Sequence, residues 1–279
     1  MKRCVSVIGG DRRQAELARL LAAEGYEVCT CGLEQWKPET PVSLETAAQA
    51  EAVILPLPLC RGEGVLNCAE QPLPTRELFR KFRPEQRILA GQVQPQQHRE
   101  AALCGLTVED YFLREEVTVA NAALTAEAAL QVAMERLERS LLGMDCLVMG
   151  FGRIGKLLCH RLQGMGARVS AAARKSQDLA WIRAYGWEAL DINRLEQHAA
   201  NFGLLFNTVP APVAQESLLR LLPKDCLCVD LASAPGIDPS AAERLGMVHL
   251  RARSLPGQLK PHTAAKILCG AINDILLEG

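Results

Sequence analysis

The sequence predicts an α/β protein made of two open, doubly wound parallel sheets, one in each half of the chain. Three observations carry that expectation. Apolar runs of strand length alternate with amphipathic segments of helix length. Each half opens in the same way, with a strand, a glycine turn and a helix. The length, 279 residues, suffices for two domains of ordinary size.

The second half reads most clearly. Strands are expected at 146–149, 168–173, 187–190, 204–209, 226–232 and 247–250. Helices at 153–163, 176–185, 194–200, 213–222 and 239–245 separate them, with Gly164 and Gly186 as stops and Ser176 placed to cap. In the first half, strands at 4–8, 26–31, 52–57, 87–90 and 107–111 alternate with helices at 12–23, 75–82 and 96–103. That describes a smaller open sheet, flavodoxin-like or Rossmann-like in outline. Between the halves, Leu130, Met134, Leu137 and Leu141 share one helical face, and Gly143 follows. The last segment, 263–277, is amphipathic and follows the sixth strand, so it is expected to cross back to the first domain. The expected division is therefore a first domain at 1–124 joined by a C-terminal helix at 263–279, a linker helix at 125–142, and a second domain at 143–262. Two connecting helices would form a hinge with a cleft between the domains.

A formal net charge of -1 argues against a nucleic-acid-binding role, which needs a basic excess or patch. The basic start is followed by only a short apolar run and then Gly9-Gly10, unlike a secretory signal. No uninterrupted apolar stretch reaches the ~18 residues of a membrane-spanning helix. The expected compartment is the cytoplasm, with no membrane partner. The cysteine count, 11, is high for that compartment, but it is odd and contains no C-x-x-C. Cys146, Cys226 and Cys228 lie in strand-like runs, Cys159 and Cys269 in helix-like ones. Cys4 also lies in a strand-like run, and nearly all eleven read as reduced, small, buried hydrophobes. Cys29 and Cys31 match no zinc spacing, and no metal site is expected.

The chemistry concentrates at Gly150-Phe151-Gly152-Arg153-Ile154-Gly155, a G-x-G-x-x-G that follows a strand and opens a helix. Gly150 permits the tight turn, Gly152 leaves room for a pyrophosphate, and Gly155 lets helix and strand pack closely. The helix terminus then offers N–H groups and partial positive charge to the phosphates. This half therefore reads as a Rossmann domain holding a nicotinamide dinucleotide. An acidic residue usually meets the ribose at the end of the next strand. Here Arg174, Lys175 and Ser176 stand instead, favouring the 2′-phosphate of NADP, with NAD as the lesser option. The plainer alternative is a solvated basic turn. Asn207, Thr208, Val209 and Pro210 end the fourth strand of this half, Asp230 and Ala232 the fifth, and Ser254 and Pro256 follow the sixth. Ligands bind outside the carboxyl ends of such strands, so these segments are expected to border the nicotinamide, although all are also ordinary turn formers.

In the first domain Gly9-Gly10-Asp11 lacks a third glycine, so a second dinucleotide is not expected. Its backbone N–H groups and Arg13 are the expected seat of a substrate carboxylate. Gly62, Glu63 and Gly64, and the hydroxyl of Thr263 at the start of the last helix, are expected to add to it. The alternative for Arg13 is a solvated helix residue. No general base stands out.

With these segments in view, the chain resembles the family of bacterial dipicolinate synthase A subunits over nearly its whole length. The matching segments are Gly9-Gly10-Asp11 with Arg13-Gln14, Gly62-Glu63-Gly64, and Asn121 with Thr125 and Glu127. They continue through the glycine motif, Asn207-Thr208-x-Pro210, Asp230-Leu231-Ala232-Ser233, and Leu255-Pro256-Gly257 with Pro261 and Thr263. The chain departs at Lys260 and His262 around Pro261, and in carrying one glycine, Gly236, where relatives often have two. The resemblance implies NADP-dependent oxidation of dihydrodipicolinate, drawn from the lysine pathway, to dipicolinate in the mother cell of a sporulating bacterium. It implies a partner, the flavoprotein-like B subunit, and a small cyclic dicarboxylate as substrate, and leaves a homo-oligomer open. Two other functions fit the residues: a redox-silent NADP-binding scaffold, and an oxidoreductase like shikimate or amino-acid dehydrogenases. For the latter no Lys-Asp catalytic pair is found in the first domain.

Overall fold

The computed structural model describes residues 3–62, 64–69 and 72–278. It divides into two compact units, Met1–Asn121 with Pro256–Gly279, and Ala122–Leu255. The fold is α/β throughout, as the sequence predicts.

The first unit carries five strands: β1 (Cys4–Ile8), β2 (Glu27–Cys31), β3 (Ala52–Ile54), β4 (Arg87–Ala90) and β5 (Val108–Asp110). They pair in the order β2-β1-β3-β4-β5, all parallel. This is the flavodoxin-like order, with its topological switch between β1 and β3. A parallel sheet with helices on both faces needs strands apolar on both sides. Val5, Val7, Val53 and Ile54 meet that demand with no exposed surface. Helix Arg12–Ala23 covers one face through Leu17, Ala18 and Leu21. The C-terminal helix, Pro261–Leu277, joins the same core through Leu268, Ile272 and Ile275.

The second unit carries six: β6 (Asp145–Met149), β7 (Arg168–Ala173), β8 (Glu188–Asp191), β9 (Leu204–Asn207), β10 (Leu227–Asp230) and β11 (His249–Arg251). Their order, β11-β10-β9-β6-β7-β8, is the Rossmann order read from one edge, and every pair is parallel. Along β6, Cys146 and Val148 face one buried cluster, and Leu147 and Met149 the opposite one. The eleven cysteines are free thiols; Cys146, Cys159, Cys226, Cys228 and Cys269 are buried, whereas Cys4, Cys29, Cys31, Cys60, Cys68 and Cys104 are only partly so, against the expectation that nearly all are buried.

Three expectations about local structure are corrected. The linker helix runs Glu115–Met134 rather than 125–142. Glu115 and Glu116 in its first turn complement the helix dipole, and nothing in 115–134 breaks the helix. After it ends, Leu141 reaches the core from a turn, while Met134 is half exposed. The helical spacing of Leu137 and Leu141 is therefore met outside the helix, in the turns that follow it. This helix is long and apolar enough to cross a membrane, but Ala126, Ala129 and Ala133 are packed inside the second unit. Lys175 rather than Ser176 takes the N-cap of helix Ser176–Ala184, without a side-chain cap bond. Finally, Leu255–Leu259 forms a short helix where a loop is expected.

Candidate functional site

The glycine turn forms because β6 runs directly into helix Arg153–Gly164. Gly150 sits at φ +96°, a backbone region that side chains disfavour. A β-carbon at Gly155 would lie 2.1 Å from the Gly150 carbonyl oxygen, so only glycine lets this helix approach the turn. A β-carbon at Gly152 would meet nothing within 4 Å. The space in front of Gly152 is therefore open, which is what a close-lying pyrophosphate requires.

Helix caps distinguish the two glycine turns. Gly152 is the N-cap of its helix and offers no side-chain bond, and no acidic residue lies in the first turn. The terminal N–H groups lack a side-chain cap and suit a phosphate. Arg153 and Ile154 fill the first turn, with Ile154 packed on the core below. In the first unit Asp11 caps helix Arg12–Ala23 in a full capping box with Gln14. The amides of Gly9, Asp11, Arg13 and Gln14 are thereby engaged, so this turn leaves fewer donors for an anion than the turn at Gly152.

The strand ends around the open turn are tied together. The Gly150 amide donates to the Ala172 carbonyl at 2.9 Å, which brings the end of β7 alongside. Arg174, Lys175 and Ser176 follow, all exposed, and neither cation has an acidic partner among the described residues. On the other side Thr208 Oγ1 donates to the Met149 carbonyl at 2.9 Å. The Asn207 side chain is buried and donates to Asp230 Oδ1 at 2.8 Å and to the Val209 carbonyl at 3.0 Å. Asp230 has no exposed surface and accepts from the amides of Ala232, Gly236 and Ile237. It also pairs with Arg251 at 2.9 Å. The side chains of Asn207, Thr208 and Asp230 thus hold the loops, and the side chains these segments leave accessible include Val209, in part, and Pro210. Ser254 is exposed at φ +54°, while Pro256 is buried and falls with the first unit.

In the first unit Arg13 is buried, against the solvated alternative. Its guanidinium forms a two-point pair with Asp11, at 2.8 Å from Nη2 to Oδ2, and Nη2 donates to the Leu57 carbonyl at 2.5 Å. A β-carbon at Gly257 would stand 2.6 Å from both Arg13 Nε and Asp11 Oδ2, so this glycine roofs the pair. Arg13 also borders a small pocket with Leu57, Val117, Asn121 and Ala264. Gly62 is exposed, and Gly64 is bound through its carbonyl to the Thr75 hydroxyl. Thr263 is exposed in the first turn of the last helix. Glu63 lies outside the described residues. A last strand expected to stop at Leu250 leaves out Arg251 and Arg253, one at the end of β11 and one just beyond it. Continuing the alternation of Leu250, Arg251, Ala252 and Arg253 would have found them.

The fold of the chain is shared with solved structures of low sequence identity. A transhydrogenase from Sinorhizobium meliloti shares the fold with a TM-score of 0.67 at 14% identity, over 97% of this chain and 93% of its own. Other similarities extend to the sequence. Residues 4–112 match the family described as the N-terminal domain of the dipicolinate synthase A subunit. The A subunit of dipicolinate synthase from Bacillus subtilis is 27% identical over 98% of this chain and 96% of its own length. The crystal structure of the corresponding protein from Bacillus halodurans superposes with a TM-score of 0.88 at 26% identity, covering 98% and 97% of the two chains. In sequence and in fold the chain is similar to these dipicolinate synthase A subunits over nearly its whole length.

Proposed function

We propose that this chain is the dinucleotide-binding, oxidising subunit of a dipicolinate synthase, acting on dihydrodipicolinate with NADP during sporulation and working with a flavoprotein-like B subunit. The observation that carries the reading is the open, uncapped turn at Gly152 in a chain similar to the A subunits over its full length. Gly150, Gly152 and Gly155 and the amides of Arg153 and Ile154 would hold the pyrophosphate. Arg174, with Lys175 and Ser176, would hold the 2′-phosphate, since a guanidinium pairs with phosphate at two points. Val209, Pro210, Ala232 and Ser254 would border the nicotinamide, on loops that Asn207, Thr208 and Asp230 keep rigid.

Bound NADP would supply a hydride acceptor for the dihydropyridine ring. The ring's neighbouring proton leaves to solvent, and aromatisation supplies the driving force. The chain's own task is to orient the ring and to replace the water lost by two carboxylates. The test is to incubate the chain with dihydrodipicolinate and NADP, with and without the B subunit, and follow dipicolinate absorbance. Absorbance should rise fully only in the mixture. A flat trace in the mixture, with NADP bound tightly, would replace this reading with a redox-silent scaffold.

A further inference from the structure

The last residues of β9, β10 and β11 stand side by side. Asn207 pairs in register with Asp230, and Asp230 with Arg251. Their side chains link in the same order, Asn207 to Asp230 at 2.8 Å and Asp230 to Arg251 at 2.9 Å. The row runs along the carboxyl edge of the sheet, starting beside the glycine turn, because Met149 is the neighbour of Asn207. At its far end a second cation joins. Arg251 donates to the carbonyls of Asp230 and Ser233, at 3.3 and 3.1 Å, and Arg253 donates to the same Ser233 carbonyl.

The charges do not cancel. Asp230 is the one carboxylate in the row, it is fully buried, and it is satisfied by Asn207, backbone amides and Arg251. Arg253 is exposed, and its bonding partner among the described residues is a neutral carbonyl that it shares with Arg251. Two guanidinium groups converging on one carbonyl oxygen leave an excess positive charge at the strand ends. Arg251 feels it: burial and the neighbouring Arg253 push its pKa below the ordinary value, while Asp230 opposes them. A guanidinium has five donors in a planar fork, and shared carbonyls use few of them.

We infer that Arg251 and Arg253, beside Ser233, form an anion subsite for one carboxylate of the ring substrate, and this rests on the dicarboxylate reading above. Position argues against the cofactor's phosphates as the anion. From β6 to β11 there are three strand steps of about 4.8 Å each, so the pair lies about 14 Å from the glycine turn. The 2′-phosphate candidate Arg174 lies on the opposite side of β6, after β7. The β9-β10-β11 side belongs to the nicotinamide half of such a sheet. An anion held there lies next to the reacting end of the cofactor. The pair is a positioning device, with Arg251 fixed by Asp230 and Arg253 the adaptable partner.

The experiment titrates pyridine-2,6-dicarboxylate by calorimetry into the full chain saturated with NADP, comparing wild type with Arg253→Met. Loss of a charge-assisted contact should weaken the dicarboxylate roughly tenfold to a hundredfold. NADP affinity and melting temperature should hold, since Arg253 is exposed. Arg253→Lys should recover part of the binding. A second arm measures stabilisation by sulfate without NADP. Sulfate stabilisation that depends on Arg253, in a chain that ignores the dicarboxylate, would keep the anion subsite and remove the substrate reading. Dicarboxylate affinity equal in wild type and Arg253→Met would overturn the subsite. So would a variant that loses NADP binding and stability together, because the arginine would then serve only to brace the Ser233 loop.

Discussion

Gly152 and Gly155 are three residues apart in one motif, yet the structure assigns them different duties, and alanine at each separates the two. At Gly152 the added methyl enters open space, and the backbone there, φ -80°, suits an ordinary residue. The folding cost is the loss of a glycine N-cap, about 0.5–1 kcal/mol. For a chain of this size that lowers the melting temperature by at most about 4 °C. The same methyl stands where the pyrophosphate must approach, so dinucleotide affinity should fall by about tenfold or more, each tenfold being about 1.4 kcal/mol. At Gly155 the methyl would lie 2.1 Å from the Gly150 carbonyl oxygen. The obstacle is backbone and cannot swing aside, so the cost sits near the top of the usual overpacking range, about 3 kcal/mol, or roughly 6–12 °C. Thermal melts and NADPH fluorescence titrations on the same samples read both effects. If Gly152→Ala binds NADPH as tightly as wild type, the open space is not the phosphate seat. If Gly155→Ala melts like wild type, the packing argument fails.

Arg174→Asp should weaken NADP by roughly tenfold to a hundredfold and leave NAD little changed, since it removes a charge-assisted contact that only the 2′-phosphate makes. Equal wild-type affinities for the two cofactors would refute this assignment. Asp230→Ala should cost about 3–5 kcal/mol in urea unfolding, because it strands Arg251 and three loop amides. A stability within error of wild type would mean the row is dispensable. Arg13→Ala should destabilise the first unit by about 1–3 kcal/mol through the loss of its bonds to Asp11 and the Leu57 carbonyl, with NADP affinity intact. An unchanged unfolding curve with a raised KM for the dicarboxylate would instead make Arg13 a substrate ligand. Burial pushes the thiols of Cys146 and Cys159 up to about 12. At pH 8 that leaves roughly one thiolate in ten thousand, so iodoacetamide should spare both in the native chain. Mass-spectrometric labelling of either at the rate of a free thiol would contradict the packed sheet.

Much of this was legible because local rules and tertiary demands agree. The edges of β1, β4 and β7 and helix Arg12–Ala23 follow directly from apolar runs bounded by glycine and capping signals. The glycine motif was legible for the same reason, since its spacing encodes one backbone turn. The linker helix was misplaced because helical spacing at Leu137 and Leu141 suits a turn that docks on a sheet as well as it suits a helix. The strand expected at 226–232 stops at Asp230 because Leu231 and Ala232 stay buried past the last ladder bond, and the one expected at 204–209 stops at Asn207 because β-branched Thr208 and Val209 are held in the loop by bonds to Met149 and Asn207.

By itself the sequence determined the α/β class, the two sheets and the glycine turn at Gly150 to Gly155, since each depends on periodicity or on glycine at fixed spacing. Only the tertiary structure decided which polar residues are spent on the fold. Asn207, Asp230 and Arg251 are far apart in the chain and become one hydrogen-bonded row because parallel register sets their strands side by side. Arg13 is buried and paired because a helix cap two residues earlier supplies its carboxylate. Pairings of this kind depend on distances that no local pattern carries, and they settle which charges are left over for a substrate.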